Sequence, residues 1–326
     1  MARQTGTAFD YHDLLDQLRI FAVANGWTQL EHTPATARDG GIPDPIDDDV
    51  RLSSIQTLTL RGPGTGAGRE VFLTFETIAD TVFQHYSIRP YGHTAWTSGL
   101  PVLSQPGAGG GPFLGLVGGS MTYWFYINDR RIIVVARSGT TYTSMYAGFL
   151  VAHALPSEYT HPLYIAGNYL ENRIPAFANA RNRFIADPGL GSAYYRAREG
   201  DWVPVVNHEI NTSNDTGYDE NNAPVLWPFG STQVLDSNSD NLDWCYGGLR
   251  LLRANALGEI VVFPCNLIDG RVNIYRLVGI LDGVYAVPGF NRTTEESITV
   301  SGQTMDVFSN VFRSSTRDFM GIEDTA

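Results

Sequence analysis

Three runs of apolar residues dominate the hydrophobic pattern of this chain. Met121 to Ile127, Arg131 to Ser138 and Tyr142 to Leu150 are rich in Tyr, Trp, Phe, Ile, Val and Met, and are separated by Asn128-Asp129 and Gly139-Thr140. Runs of this length divided by two-residue turn signals predict a three-stranded meander. Both alternating sets of positions are apolar in places, which predicts a core sheet rather than a sheet with one wet face. The segment from Tyr11 to Trp27 has the other period. Leu14, Leu15, Leu18, Phe21 and Ala22 recur at helical spacing, with Asp10 placed to cap the start and Gly26 to end it, so an amphipathic helix is predicted.

Between these elements, Gln56 to Arg61, Glu70 to Ile78 and Val82 to Pro90 alternate in polarity and predict strands, with Gly62-Pro63-Gly64-Thr65-Gly66-Ala67-Gly68 as a hairpin tip. Residues 33 to 50 are rich in Pro, Gly and Asp and read as a loop. So do residues 99 to 120, which hold eight glycines and three prolines. Residues 155 to 243 show little periodicity beyond a short helical stretch at Ala178 to Ile185, and read as an irregular arm ordered against a neighbouring subunit. Further on, Gly258 to Pro264 and Arg271 to Leu277 read as a hairpin around Leu267-Ile268-Asp269-Gly270. Gly283 to Pro288, Ser297 to Val300 and Met305 to Phe308 read as short strands, with a turn at Ser301-Gly302. The fold class expected is mainly β (α+β): a β-sandwich or barrel-like core with an N-terminal helix and a long inserted arm. The divisions expected are 1–154 for helix and β core, 155–243 for the arm, and 244–326 for hairpins that complete the core.

Composition narrows the chemistry. The formal charge is −12, which argues against dedicated nucleic-acid binding, although a local positive patch facing a DNA channel stays open. No apolar run reaches the roughly 18 residues of a membrane span, and Met1-Ala2-Arg3-Gln4 does not open a signal peptide, so a soluble protein made in a cytoplasm is expected. All 22 basic residues are Arg, for which a GC-rich coding sequence is the ordinary cause. The lack of Lys removes Schiff-base and P-loop chemistry and leaves planar guanidinium groups suited to bidentate carboxylate pairing. Cys245 and Cys265 form neither a disulfide framework nor a zinc site. Free buried thiols, or a single bond between the two formed after cell lysis, are the two readings.

No motif is organised for catalysis. His208-Glu209 lacks the second His of a metalloprotease helix, since Thr212 stands there, and the seven histidines are scattered. Asp236-Ser237-Asn238-Ser239-Asp240-Asn241 opens like a calcium loop but has Asn241 and Gly247 where Gly and a carboxylate are required. Asp44, Asp47, Asp48 and Asp49 form an acidic loop without a full ligand set. Gly64-Thr65-Gly66-Ala67-Gly68 precedes a strand rather than a helix and is no dinucleotide fingerprint. No cofactor and no metal are expected.

Two stretches carry a resemblance. One is Phe125-Tyr126-Ile127-Asn128-Asp129-Arg130-Arg131-Ile132-Ile133-Val134-Val135-Ala136-Arg137, continued by Tyr142 to Phe149 and by Leu155-Pro156-Ser157-Glu158-Tyr159. The other is Leu281-Asp282-Gly283-Val284-Tyr285-Ala286-Val287-Pro288-Gly289-Phe290, followed by Asn310-Val311-Phe312-Arg313 and Arg317-Asp318-Phe319-Met320. Together they resemble tailed-bacteriophage virion structural proteins encoded among the head–tail joining and tail genes. The resemblance implies a particle component without catalytic activity. It favours a collar or tail-terminator ring of copies of itself, six-fold in symmetry, between head–tail connector, tail tube and sheath proteins. Its location is the virion, after assembly in the host bacterial cytoplasm. A baseplate, fibre-attachment or host-recognition role, with fibre proteins as partners, is the alternative, and a polysaccharide-degrading tail enzyme stands behind it. Aromatic and Arg side chains are favoured at interface centres. The candidate contact residues are therefore Arg130, Arg131, Tyr159, Trp202, Trp227, Arg313, Arg317 and Phe319. For the Arg130-Arg131 pair, a solvated turn, an inter-subunit salt bridge and a DNA contact all remain open.

Overall fold

A computed structural model describes residues 1–43, 51–66, 68–80, 85–167, 193–205, 224–228, 260–269, 276–289, 291–309 and 318–324. In chain order the elements are β1 (Ala2–Ala8), α1 (Tyr11–Ala24), β2 (Thr28–Pro43), β3 (Arg51–Gly62), β4 (Val71–Asp80), β5 (His85–His93), β6 (Gly109–Gly110) and β7 (Leu114–Leu116). There follow β8 (Met121–Ile127), β9 (Arg131–Ser138), β10 (Thr141–Phe149), β11 (Val151–Ala152), β12 (Leu163–Ala166), β13 (Ala193–Arg196) and β14 (Trp202–Pro204). The last are β15 (Val225–Trp227), β16 (Phe263–Asp269), β17 (Arg276–Pro288), β18 (Ser297–Val300), β19 (Gln303–Ser309) and β20 (Asp318–Glu323). The chain is mostly β. Its strands form three antiparallel sheets: a central one ordered β1-β8-β9-β10-β12-β13-β14, an N-terminal one ordered β2-β3-β4-β5-β6 with β7 also on β5, and a C-terminal one ordered β15-β16-β17-β20-β19-β18 with β11 also on β17.

The period-2 geometry of a strand sends successive side chains to opposite faces. In the central sheet both faces are covered. Tyr123, Phe125, Ile127, Ile132, Val134, Ala136, Met145, Ala147, Phe149, Leu163 and Ile165 enter one apolar layer, shared with α1 and with Leu58, Leu60, Leu73, Phe75 and Ile88 of the N-terminal sheet. Trp124, Tyr126, Ile133, Val135, Tyr142, Tyr146, Tyr164 and Ala166 enter a second layer, shared with Leu267, Leu281, Val284, Phe308, Met320 and Ile322 of the C-terminal sheet. Double burial is why the meander reads as continuously apolar. Each fully buried aromatic or large aliphatic side chain contributes about 1.5–3 kcal/mol. The helix α1 is capped by Asp10, whose carboxylate accepts the backbone N–H groups of His12 and Asp13 at 2.9 and 2.8 Å. It buries Leu14, Leu15, Leu18 and Phe21, and Phe21 stacks on Phe125 with ring centroids 6.0 Å apart.

Several expectations are corrected. Ala2–Ala8, not expected as a strand, pairs along its whole length with β8. The 33–50 loop is cut back by β2, which runs to Pro43 through an irregular ladder with β3. The 99–120 loop contains β6 and β7, and Leu114 and Leu116 are buried. The C-terminal hairpin is displaced: Leu267 and Ile268, expected at its turn, lie in β16 opposite Gly279 and Leu277. Where it is described, the 155–243 segment holds short strands among turns. Its strands β12, β13 and β14 extend the central sheet and β15 borders the C-terminal sheet. The short helix at 178–185, the acidic loop at 44–49, His208-Glu209 and Asp236–Asn241 lie outside the described residues.

His93 at the end of β5 is fully buried, with Nε2 3.0 Å from the Thr74 hydroxyl and no partner for Nδ1. Burial pushes it down to about 4. The unfolded chain takes up this proton near the ordinary His value while the folded chain refuses it, so stability is retained above pH 6.5 and lost as pH falls from there towards 4. Denaturant unfolding at pH 7 and pH 4.5 should show His93→Gln losing roughly 2–3 kcal/mol less than the unsubstituted chain over that interval; equal losses in both would contradict this account of His93.

Candidate functional site

The strand ends around Asn128–Arg131 and Asp282 meet at the β8–β9 turn. Asn128 builds the turn: its Oδ1 accepts the backbone N–H groups of Arg130 and Arg131 at 2.9 and 3.0 Å, the local bond that favours Asn at such positions. Its Nδ2 donates to the Asp282 carboxylate at 2.7 Å. Neighbouring layers hold the turn's carbonyls. The Trp27 indole donates to Asn128 O at 2.9 Å, the Gly64 N–H to Asp129 O at 2.7 Å, and the Phe149 N–H to Arg130 O at 2.9 Å. The turn therefore ties all three sheets together.

Charge lies inside this junction. The Arg131 side chain is wholly buried, with Nε 3.5 Å from the Asp282 carboxylate, a separation that makes an ion pair and not a hydrogen bond. Its Nη2 lies 3.2 Å from the Met1 sulfur. Arg130 reaches the same carboxylate at 3.3 Å from a partly exposed position. Gly283 makes room for the guanidinium, and Gly148 for the backbone at Arg130 and Arg131. A Cβ on Gly283, at φ +65, would stand 2.2 Å from Arg131 Nη2, and one on Gly148, at φ +146, would stand 2.3 Å from Arg130 O. The Tyr146 hydroxyl donates to Phe149 O at 2.7 Å and accepts the Asp282 N–H at 3.3 Å. Burial, followed by the neighbouring Asp282 charge, raises the Tyr146 phenol above its ordinary range. Met1, Ala2, Asn25, Ile127, Asn128, Asp129 and Arg130 line a cleft of about 380 Å³ over the turn.

Three more carboxylates join the central and C-terminal sheets. Asp306 on β19 accepts the Tyr126 hydroxyl at 2.5 Å and the Ser297 hydroxyl at 2.7 Å, and pairs with Arg3 of β1 at 2.6 Å. Burial, with the Asp306 charge next, raises the Tyr126 phenol. Asp269 on β16 accepts the Tyr195 hydroxyl of β13 at 2.5 Å. Glu295, held at φ +66, accepts from both Arg137 and Tyr142, and Arg137 lies over the Trp124 ring at 5.6 Å. Charge-assisted bonds of this kind are short and about twice as strong as neutral ones.

The expected contact residues are divided by this geometry. Arg131, Tyr159 and Phe319 are buried inside the chain, which corrects their reading as contact surface. Arg131 belongs to the three-layer junction, the Tyr159 hydroxyl donates to Arg196 O, and Phe319 packs on the outer face of the C-terminal sheet with Ile298, Met305 and Val307. Trp202 is half-buried, donating from its indole to Gly107 O at 3.0 Å. Trp227 is half-buried against Phe263. Arg130 keeps partial exposure. Arg313, Arg317 and Cys245 lie outside the described residues, and so does any pairing of Cys245. Cys265 is buried and burial raises its thiol, so it is inert as a nucleophile. Sequence reasoning missed Asp282, Asp306 and Asp269 as organising residues. The one available signal was a carboxylate within an otherwise apolar strand.

Removing one partner of a buried ion pair strands the other. Asp282→Ala should cost about 3–5 kcal/mol in denaturant unfolding, and adding Arg131→Met to it should restore part of the loss. A double variant no more stable than Asp282→Ala would refute the stranded-charge explanation.

Among the described residues, no three His, Cys, Asp or Glu side chains converge as a metal site, and no helix is long and apolar enough to cross a membrane. No protein-family model matches the sequence, and a search of curated proteins gives no match.

Proposed function

We propose that this chain is a structural component of a tailed-phage particle, and specifically a neck ring of the collar or tail-terminator type. It has no catalytic step of its own and works by contacts with its own copies and with connector, tail tube or sheath proteins. The observation that carries this reading is the convergence at the β8–β9 turn. The two stretches that resemble phage virion proteins are far apart in sequence, yet they share the Asn128, Arg130, Arg131 and Asp282 contacts. A resemblance confined to short segments is expected where those segments build one structural junction and the rest of the chain is free to vary. The use of carboxylates as cross-layer braces also suits a load-bearing part, because directional bonds between sheets resist sliding better than apolar contact alone.

Particles assembled without this protein should show full heads unjoined to tails, or tails of unregulated length, in negative-stain images. Particles that join normally and fail only at adsorption would overturn the neck reading and support fibre attachment. Release of reducing sugar from capsule, lipopolysaccharide or peptidoglycan by the purified chain would overturn the non-enzymatic reading.

A further inference from the structure

An outer strand of a sheet presents a row of unpaired backbone N–H and C=O groups, and most outer strands among the described residues are protected against pairing. β2 breaks its register with β3 three times and carries Glu31 and Pro34. β14 and β15 have three residues each, and β14 ends in Pro204. β6, β7 and β18 have two, three and four residues. β1 has none of these protections. It runs for seven residues without Pro or bulge, from Ala2 opposite Ile127 to Ala8 opposite Met121, as the outermost strand of the central sheet. Its one charge, Arg3, is held by Asp306 at 2.6 Å.

The register assigns the outward groups. The Asn128 N–H donates to Arg131 O at 3.2 Å, and an antiparallel ladder alternates from that pair onward. Even-numbered residues of β8 therefore bond to β9. Met121, Tyr123, Phe125 and Ile127 turn their backbone groups towards β1, where they meet Ala8, Gly6, Gln4 and Ala2. The intervening Arg3, Thr5 and Thr7, all exposed, direct theirs outward. Phe9 follows the same alternation: its N–H donates to the Asp13 carboxylate at 2.8 Å, which closes the free edge at that end.

We infer that β1 docks on β1 of a second copy, antiparallel about a two-fold axis at Thr5. In that register Thr5 faces Thr5 of the other copy and Arg3 faces Thr7. Every outward N–H and C=O then meets its counterpart, and no two like charges stand opposite each other. Phe9, 81% exposed just past the strand, comes beside Met1 of the other copy. The edge itself selects this occupant. Among the described residues, no other outer strand that a second copy could offer is both as long and as regular. The identical edge is also present at the chain's own concentration wherever the chain is made. A two-fold contact covers both edges at once and leaves neither for open-ended growth. Such a contact closes on itself and does not repeat around a ring, so the inference does not rest on the neck reading.

Amide exchange on the full chain, followed against concentration, tests the register. Exchange at Arg3, Thr5 and Thr7 should slow as dimers form, while Gln4, Gly6 and Ala8, already bonded to β8, should not change. Thr5→Pro keeps the β8 ladder but removes one donor from each copy at the axis. In sedimentation velocity it should weaken dimerisation roughly thirtyfold. Thr5→Lys and Thr5→Glu each set like charges against each other at the axis and should sediment as monomers. Mixed together they should recover dimers, because the axis then sets Lys against Glu, and that recovery also shows that both variants fold. An unsubstituted chain that is monomeric at every concentration would overturn the pairing. Dimers that Thr5→Pro leaves intact, with the outward amides exchanging as fast as in the monomer, would place the contact elsewhere and overturn it as well. Charge variants that dimerise alone, or folded charge variants that stay monomeric when mixed, would refute the two-fold axis at Thr5.

Discussion

A sheet covered on both faces leaves no solvent to take up a charge, and that constraint shapes this molecule. The central sheet places alternate side chains of β8, β9, β10 and β12 into two separate apolar layers. Any ionised group within it has to be met by an opposite charge or by directional hydrogen bonds. Arg131 opens β9 with no exposed side-chain surface, and Asp282 comes from another sheet to meet it. Once that pair is placed, Gly283, at φ +65, has to leave room for the guanidinium, and Asn128 has to turn the chain while reaching the same carboxylate.

The two interfaces of the central sheet differ in kind. Towards the N-terminal sheet, contact is almost wholly apolar and is completed by α1, so it is held by area. Towards the C-terminal sheet, apolar contact is braced by Asp306, Asp269 and Glu295, each accepting a tyrosine hydroxyl or an arginine from the central sheet. These bonds fix the lateral position of one sheet on the other, which area alone does not do. The tyrosines serve both functions, burying a ring while presenting a hydroxyl at its edge.

Elements whose cause is local were legible in the sequence. The meander Met121–Phe149 was plain because each alternating set is apolar, and α1 because its apolar stripe begins beside a capping Asp10. The strand at Ala2–Ala8 was not legible, since Arg3, Gln4, Thr5, Gly6 and Thr7 carry no apolar period and the segment becomes a strand only because β8 offers an edge. β12, β13 and β14 were missed for a related reason: they are short, lie within polar and Gly-rich sequence, and extend a sheet built elsewhere. Arg131 was legible as important and misread as exposed. An arginine at a turn is usually solvated, and only the distant Asp282 and Gly283 turn this one inward. The carboxylate braces were invisible because each joins residues far apart in sequence.

Imaging the intact particle at a resolution that locates individual subunits tests the functional account most directly. The account predicts density for this chain at the junction of head and tail, in several copies related by rotation about the tail axis, with neighbouring copies in contact. Density confined to the distal end of the tail, or copies that stand apart without touching, would contradict it.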